Sequence, residues 1–184
     1  MPLQIINSFA TWILKKRIHQ MELFLKYPHE VQEELLFNLI KASENTQLGK
    51  KYDFSSMKSY TTFSERIPVS TYEELEPLIE KTRQGEQNVF WHSNIKWFAK
   101  SSGTTNAKSK FIPVSSEALE NCHYKASKDL LCLYLNNNEE SQMFTGKSLR
   151  LGGSKQLYED NNTFFGDLSA ILIDNMPIWA EFSS

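Results

Sequence analysis

The chain has 184 residues, of which 40% are hydrophobic and 23% are charged, a composition typical of globular rather than disordered proteins. Its 20 Lys and Arg residues and 22 Asp and Glu residues give a net charge of about −2, which argues against a protein that binds nucleic-acid phosphates through a basic surface. No apolar segment reaches about 18 residues, so the sequence predicts no transmembrane helix.

The first part of the chain is predicted to be helical, because its apolar residues recur at helical spacing. An amphipathic helix is expected over Pro2–Lys26, with an apolar stripe of Ile5, Ile6, Phe9, Trp12, Ile13, Met21 and Phe24. Proline opens a second predicted helix, Pro28–Asn45. Its buried stripe is expected to contain Val31, Leu35, Leu36, Leu39 and Ile40. A third helix is predicted over Thr71–Gln84, since Thr71 and Glu74 have capping-box spacing and Gly85 follows.

Two short apolar segments, Ile95–Lys100 and Phe111–Val114, are typical of strands, and the polar run Ser101–Lys110 connects them. A long helix is predicted from Ser116 to Asn136. Its buried face is expected to contain Leu119, Cys122, Ala126, Leu130 and Leu133.

The last part of the chain is predicted to contain one strand and one helix. The strand is Ser148–Leu151, and the turn Gly152–Ser154 follows it. The helix includes Leu168 and Ile171 and ends before Pro177. No internal repeat or low-complexity linker interrupts the sequence, so we expect one domain or a large piece of one.

The polar run between the two predicted strands has the composition of a phosphate-binding loop. Residues 100–110, KSSGTTNAKSK, place four hydroxyl side chains and Gly103 within five positions, followed by two lysines. Hydroxyl and backbone N–H groups can donate to phosphate oxygens, and glycine lets the backbone approach closely. A lysine at the end supplies positive charge to a departing phosphate group. The same composition is also common in surface turns that bind nothing, which is the alternative interpretation.

Common nucleotide motifs do not describe this loop. The Walker pattern requires a second glycine before the lysine, and none stands before Lys108 or Lys110; the Rossmann pattern is also absent. Both of those loops lead into a helix, whose N-terminus binds the anion. This loop leads into the predicted strand Phe111–Val114, so strand, hydroxyl-rich loop, lysine and strand form a different architecture.

That architecture is found in the adenylate-forming enzymes related to firefly luciferase. Residues 100–115, KSSGTTNAKSKFIPVS, resemble the auxin-responsive-promoter family of acyl-acid amido synthetases, in its bacterial form. The resemblance covers nearly the whole chain. It also includes the segments Thr46–Tyr52, Ile67–Leu75, Gly85–Val89, Leu151–Ser154 and Gly166–Leu172.

The resemblance implies a mixed α/β fold, an incomplete N-terminal large domain with a helical N-terminus followed by a mixed sheet with flanking helices. Residues 1–184 would form a partial adenylation domain, with a helical start at 1–90. A strand–phosphate loop–strand unit would follow at 95–114, and helix and strand elements at 115–184. The family's segments that bind adenine and ribose, and its C-terminal domain, are not found in the sequence. We therefore expect an N-terminal fragment that is inactive alone.

The implied activity is ATP-dependent activation of a carboxylic acid. The acid attacks the α-phosphate to form an acyl-adenylate, and an amino-acid amine then displaces AMP. By matching positions, the residues on the β- and γ-phosphates would be Ser101, Ser102, Gly103, Thr104, Thr105 and Lys110. The resemblance implies ATP with Mg²⁺, a small-molecule carboxylic acid and an amino acid as partners, and no nucleic acid or membrane. Many relatives have a second glycine where this chain has Asn106–Ala107, although asparagine also adopts positive φ.

Two other functions remain open at this point. An acid–thiol ligase shares the adenylation step and would transfer the acyl group to coenzyme A. A truncated, non-catalytic chain would keep part of the fold only.

Weaker candidates lie on the long predicted helix. Lys125 or Lys128 could face a substrate carboxylate in the acyl pocket, as the resemblance implies; a solvated helix face is the alternative. Cys122 and Cys132 fit a reduced, cytoplasmic protein, and about 15 Å of helix between them excludes a disulfide. The histidines show no metal-ligand spacing with these cysteines, so no metal site is predicted. No catalytic residue can be assigned.

Overall fold

A computed structural model describes residues 2–101, 109–146, 149, 158–160 and 162–177. Its helices are α1 (Pro2–Lys15), α2 (Ile18–Lys26), α3 (Pro28–Ser43), α4 (Gln47–Lys51), α5 (Tyr60–Arg66), α6 (Tyr72–Arg83), α7 (Ser116–Ala118), α8 (Lys125–Asn137) and α9 (Leu168–Asp174). Its strands are β1 (Trp97–Lys100), β2 (Phe111–Val114), β3 (Tyr158–Asp160) and β4 (Thr163–Gly166). The predicted mixed α/β class is confirmed.

The described residues belong to two compact units. The first draws on Met1–Pro28, Glu117–Gly152 and Leu172–Ser184. The second draws on His29–Ser116 and Gly153–Ile171, and it contains the whole sheet.

The predicted first helix is two helices, because the chain turns at Lys16 and Arg17. No glycine or proline marks this break. The Arg17 guanidinium instead pairs with the Asp129 carboxylate on α8, with Nε 2.5 Å from Oδ1 and Nη2 3.2 Å from Oδ2. The two partners are 112 positions apart, so helical periodicity could not indicate the contact.

The predicted stripe of α3 is only half buried. Ile40 packs with Phe54 and Met57 in a small core that Leu36 also contacts. Leu35 and Leu39 are 57% and 46% exposed, against expectation. Successive helical residues point about 100° apart, so one member of each adjacent leucine or isoleucine pair faces outward.

The segment Thr46–Tyr52, which matches an early loop of the resembling family, contains the short helix α4. Thr46 caps it by accepting a hydrogen bond from the Gly49 amide at 3.0 Å. The amides of Gln47 and Leu48 donate to the carbonyls of Asn88 and Val89, at 2.7 and 3.1 Å. The short helices α4 and α5 were not predicted, because they contain too few apolar residues to show a periodic pattern.

The strands form one sheet in the order β2–β1–β4–β3. β1 pairs antiparallel with β2, which places Lys100 opposite Phe111. On its other side β1 pairs parallel with β4, and β4 pairs antiparallel with β3. The strands β1 and β2 confirm the prediction, whereas β3 and β4 were not predicted. The buried side chain of Phe98 on β1 packs with Ile79 of α6 and Ile95.

The predicted buried face of the long helix is wrong beyond Leu119. Leu119 is buried, but Leu130 and Leu133 are 69% and 42% exposed, and Cys132 and Leu135 are buried instead. The segment Leu119–Tyr124 between α7 and α8 is π-helical. Its wider turns bond i to i+5 and shift the following residues by about one position relative to a regular helix. Cys122 and Ala126 are also exposed, against the prediction.

The final predicted helix is confirmed as α9, Leu168–Asp174. The predicted strand Ser148–Leu151 and the turn after it fall almost entirely outside the described residues. Both cysteines have free thiols, that of Cys122 exposed and that of Cys132 buried. Among the described helices, none combines the length and hydrophobicity needed to cross a membrane.

Candidate functional site

The predicted phosphate loop begins and ends on two paired strands. Ser101 follows β1 directly, and Lys110 directly precedes β2. The Ser101 amide donates to the Lys110 carbonyl at 2.9 Å, and the Lys110 amide donates to the Ser101 hydroxyl at 3.2 Å. These two bonds close the base of the loop, so the antiparallel pairing of β1 and β2 fixes where its two ends lie.

Four of the six predicted phosphate-loop residues, Ser102, Gly103, Thr104 and Thr105, lie outside the described residues. The structure brings the other two, Ser101 and Lys110, together at the base of the loop. Ser101 is exposed and Lys110 is half-buried. Their assignment to phosphate binding stays a prediction.

The Lys110 ammonium is held by the first turn of α6. Its Nζ atom lies 2.8 Å from Oε1 of Glu73 and 4.8 Å from the ring centroid of Tyr72. A hydrogen bond from Lys110 is the main cause that lowers the pKa of the Glu73 carboxyl, with smaller contributions from a backbone N–H and from the lysine's charge. Glu73 is therefore ionised at neutral pH and forms a charged pair with Lys110.

Tyr72 connects α6 to the start of β2. Its hydroxyl oxygen accepts a hydrogen bond from the Phe111 amide at 2.9 Å. The Tyr72 side chain also packs against the core formed by Ile79, Ile95 and Phe98. The ring beneath the Lys110 ammonium is thus tied both to the core and to the residue that follows Lys110.

The predicted capping box at the start of α6 is confirmed. The Thr71 hydroxyl accepts from the Glu74 amide at 3.4 Å, while the Thr71 amide donates to Glu74 Oε2 at 2.7 Å. This reciprocal pair fixes the backbone of the first helical turn. Tyr72 and Glu73 are in that turn, so the cap determines how they are presented to Lys110.

Neither Tyr72 nor Glu73 was predicted from the sequence to be a site residue. Both were recognised as part of a helix start, but Glu73 is 37 positions from Lys110. A pair so distant in sequence has no local signature. The only signal was that this segment and the loop both belong to the resemblance.

The described part of the site places an N–H and an O–H donor group beside one carboxylate. A lysine ammonium has three N–H donors, and Glu73 accepts from it here. The remaining donor capacity, together with the exposed Ser101 hydroxyl, can bond phosphate oxygens. Within the described residues, no three His, Cys, Asp or Glu side chains are placed to hold a metal ion together.

The two acyl-pocket candidates are both half-buried near the start of α8. Lys128 is four positions after the buried Tyr124 and four before the buried Cys132, which places it on the buried face of the helix. Lys125 lies about 100° away from Tyr124. The two lysines are three positions apart and are therefore neighbours on the helix surface. Their role stays a prediction.

Comparison with known proteins gives one family match and several relatives. The family model described as the GH3 family N-terminal domain matches residues 17–184. Indole-3-acetic acid-amido synthetase GH3.2 of Arabidopsis thaliana is 31% identical over 106 residues, covering 57% of this chain and 19% of the relative. Jasmonoyl–L-amino acid synthetase JAR4 of Nicotiana attenuata is 28% identical over 143 residues, covering 76% of this chain and 24% of the relative.

A solved structure shares the fold. The acyl acid amido synthetase GH3.15 superposes with a TM-score of 0.75 at 19% sequence identity, over 89% of this chain and 29% of that one. The chain thus spans between 19% and 29% of the length of these relatives.

Proposed function

Because the chain belongs to the GH3 family through its N-terminal domain, we propose that it forms the ATP-phosphate-binding part of an acid–amino acid ligase. The observation that supports this most directly is the junction of Ser101 and Lys110. It presents a hydroxyl and an ammonium group at the end of two paired strands. Relatives of the matched segment are named as amido synthetases.

The proposed reaction has two steps. A carboxylate oxygen attacks the α-phosphorus of ATP, the bond to the β-phosphate oxygen breaks, and pyrophosphate leaves with the electron pair. The amine of an amino acid then attacks the acyl carbon, AMP leaves, and the amine loses a proton to solvent. Relatives are named for indole-3-acetic acid and for jasmonoyl–amino acid formation, so we propose a small organic acid as the substrate.

Lys110 would act in the first step. As the phosphoanhydride bond breaks, negative charge accumulates on the pyrophosphate group, and a positive group placed there stabilises the transition state more than the ground state. The ammonium is suitable because the loop base fixes its backbone at both the amide and the carbonyl. Ser101 and the loop hydroxyls would orient the same phosphates.

A magnesium ion would arrive with the nucleotide. Such ions are usually held by substrate phosphates with one or two carboxylates, and they keep several waters. This requirement is compatible with a site whose described residues contain no dedicated metal cluster. Cytoplasmic ATP-dependent chemistry is also compatible with the two free thiols.

Pyrophosphate exchange tests this function in a complete-length version of the chain. Incorporation of labelled pyrophosphate into ATP should depend on a carboxylic acid, because only the adenylation step is reversible in this way. A panel of small aromatic and aliphatic acids, with and without amino acids, identifies the acyl donor and the acceptor. If the protein catalyses exchange and acylates coenzyme A but forms no amide, the acceptor is a thiol and not an amine. No acid-dependent exchange with any acid would contradict the proposal.

A further inference from the structure

The Lys110 side chain is held in one position, although rotation about its own bonds would allow many conformations. Its backbone is fixed by two hydrogen bonds with Ser101. Beyond the backbone, a lysine has four flexible carbon–carbon bonds and samples many rotamers when nothing holds its end. In this structure, the Glu73 carboxylate and the Tyr72 ring both contact the ammonium.

The surface that holds the ammonium is rigid. Tyr72 accepts from the amide of Phe111, the residue next to Lys110, and it packs on the core that includes Phe98. The Thr71 capping box fixes the helical turn from which Glu73 projects. The carboxylate, the ring and the lysine backbone thus belong to one connected piece of structure.

The ion pair itself contributes little to folding. The Lys110 and Glu73 side chains are 41% and 66% exposed, and pairs this exposed usually change stability by a small amount. The ion pair instead determines the position of the ammonium, because it limits where the Lys110 Nζ atom can lie. Glu73 occupies part of the ammonium's donor capacity, and N–H donors remain for another anion.

We propose that Glu73 is a positioning residue for Lys110, holding its ammonium over the Tyr72 ring at the end of the phosphate loop. This inference rests on the proposed function, since it assumes that Lys110 meets a nucleotide phosphate. A prepositioned ammonium reaches the departing pyrophosphate without first losing side-chain freedom. The negative charge of Glu73 would then lie near the phosphates, so it would not favour binding of ATP itself.

Positioning of the ammonium by Glu73 and repulsion of ATP by its charge should affect kcat and KM differently. Removing the carboxylate should lower kcat for adenylation, because the ammonium is less well placed as charge develops. It should leave the KM for ATP unchanged or slightly lower, because a repulsive charge is lost. A residue that only stabilises the fold would not produce this division between the two constants.

The test uses Glu73→Ala in a complete-length version of the chain, both alone and combined with Lys110→Ala. We expect kcat for acid-dependent pyrophosphate exchange to fall about fivefold, the size that exposed ion pairs reach in double-mutant cycles. In the Lys110→Ala background the same change should have no effect, since Glu73 acts only through that lysine. Glu76→Ala is the matched control, because Glu76 is an exposed carboxylate one turn further along α6. It should leave kcat within about twofold.

The outcomes separate the inference from the function on which it rests. If Lys110→Ala slows exchange but Glu73→Ala does not, or if Glu73→Ala has an equal effect in both backgrounds, positioning by Glu73 is wrong and the phosphate assignment stands. If Lys110→Ala has no effect on exchange, the phosphate assignment fails and the inference fails with it. Melting temperatures of all variants establish that each one is folded.

Discussion

Ser101 and Lys110 exchange two hydrogen bonds across the base of the loop between β1 and β2. The serine amide donates to the lysine carbonyl at 2.9 Å, and the lysine amide donates to the serine hydroxyl at 3.2 Å. The first bond continues the antiparallel ladder by one residue pair. The second bond uses the Ser101 hydroxyl, which we also propose for phosphate binding. Ser101 would therefore both fix the base of the loop and contact the nucleotide.

Changing Ser101→Ala should therefore reduce activity more than stability. Ser101 is exposed, so water can replace its bond to the Lys110 amide, and we expect a change in unfolding free energy within about 0.5 kcal/mol. Loss of a hydrogen bond to a charged phosphate corresponds to about 1.5–3 kcal/mol, or about 10- to 100-fold in kcat/KM for ATP. Steady-state exchange kinetics and thermal unfolding of a complete-length version measure both. A large fall in melting temperature with normal kinetics would assign Ser101 to structure alone.

Lys110→Ala should slow adenylation by about 10²–10³-fold, or about 3–4 kcal/mol, because one donor to the developing charge is lost. The melting temperature should hardly change, since the side chain is 41% exposed and makes one exposed ion pair. Lys108, which lies outside the described residues, provides the comparison. Lys108→Ala should have a much smaller effect, because the match to the family's phosphate-loop positions includes Lys110 and not Lys108.

Equal, near-wild-type exchange rates in the two lysine variants would favour the plain-turn interpretation. In that case both lysines are solvated charges beside a surface turn.

The Glu73 carboxyl should titrate below its usual range in the 184-residue chain itself. Its pKa is lowered from an ordinary value of 4.5, chiefly by the hydrogen bond from Lys110. The stabilising effect of the pair is therefore complete above pH 4.5 and is lost as the pH falls through the lowered pKa. Lys110→Ala should move the pKa back towards its ordinary value. Carboxyl-carbon NMR titration measures the shift.

Glu80 is the internal control for this titration. Its pKa is lowered mainly by a hydrogen bond from Arg83, which Lys110→Ala does not change. A Glu73 pKa that is the same with and without Lys110 would show that the pair does not form in solution.

Gly49→Ala should destabilise the unit that contains the sheet. A Cβ atom at this position would lie 2.0 Å from the Ser43 carbonyl oxygen and 2.8 Å from that of Glu44. Both are backbone atoms, so the chain itself must move, and overpacking of this kind costs about 1–3 kcal/mol. We expect the melting temperature to fall by about 3–10 °C. Calorimetry measures this.

Gly146→Ala is the matched substitution. Nothing lies within 4 Å of its Cβ position, and its φ of −116° is accessible to alanine. Its melting temperature should be unchanged or slightly higher, because alanine reduces the freedom of the unfolded chain. Comparable losses in both variants would show that the close contact at Gly49 is not the cause.

The local part of the site was predictable from sequence because its signals are short. Thr71 and Glu74 are three positions apart, and this spacing alone predicted the capping box and the start of α6. The apolar segments on either side of the loop predicted β1 and β2, and the order of strand, loop, lysine and strand followed from them. Gly85, with φ of 97°, ends α6 where glycine is the residue that most easily adopts that conformation.

Periodicity was a weaker guide to which residues are buried. It assumes a regular helix, and the π-helical segment Leu119–Tyr124 violates that assumption in the middle of a predicted helix. Leu130 and Leu133 are consequently exposed, whereas Cys132 and Leu135 are buried. The residue types of this segment give no indication that it is π-helical.

The sequence by itself determined the starts of α3, α6 and α7, the strands β1 and β2 and the composition of the loop between them, because each depends on residues within a few positions of one another. Only the tertiary structure decided that β4 lies beside β1 and that Glu73 meets Lys110. These contacts join positions 37 and more apart, and local propensity contains no information about which distant segments meet. The packing of α6 against the sheet decides it, since burial of Ile79 with Phe98 brings the first turn of the helix to the loop.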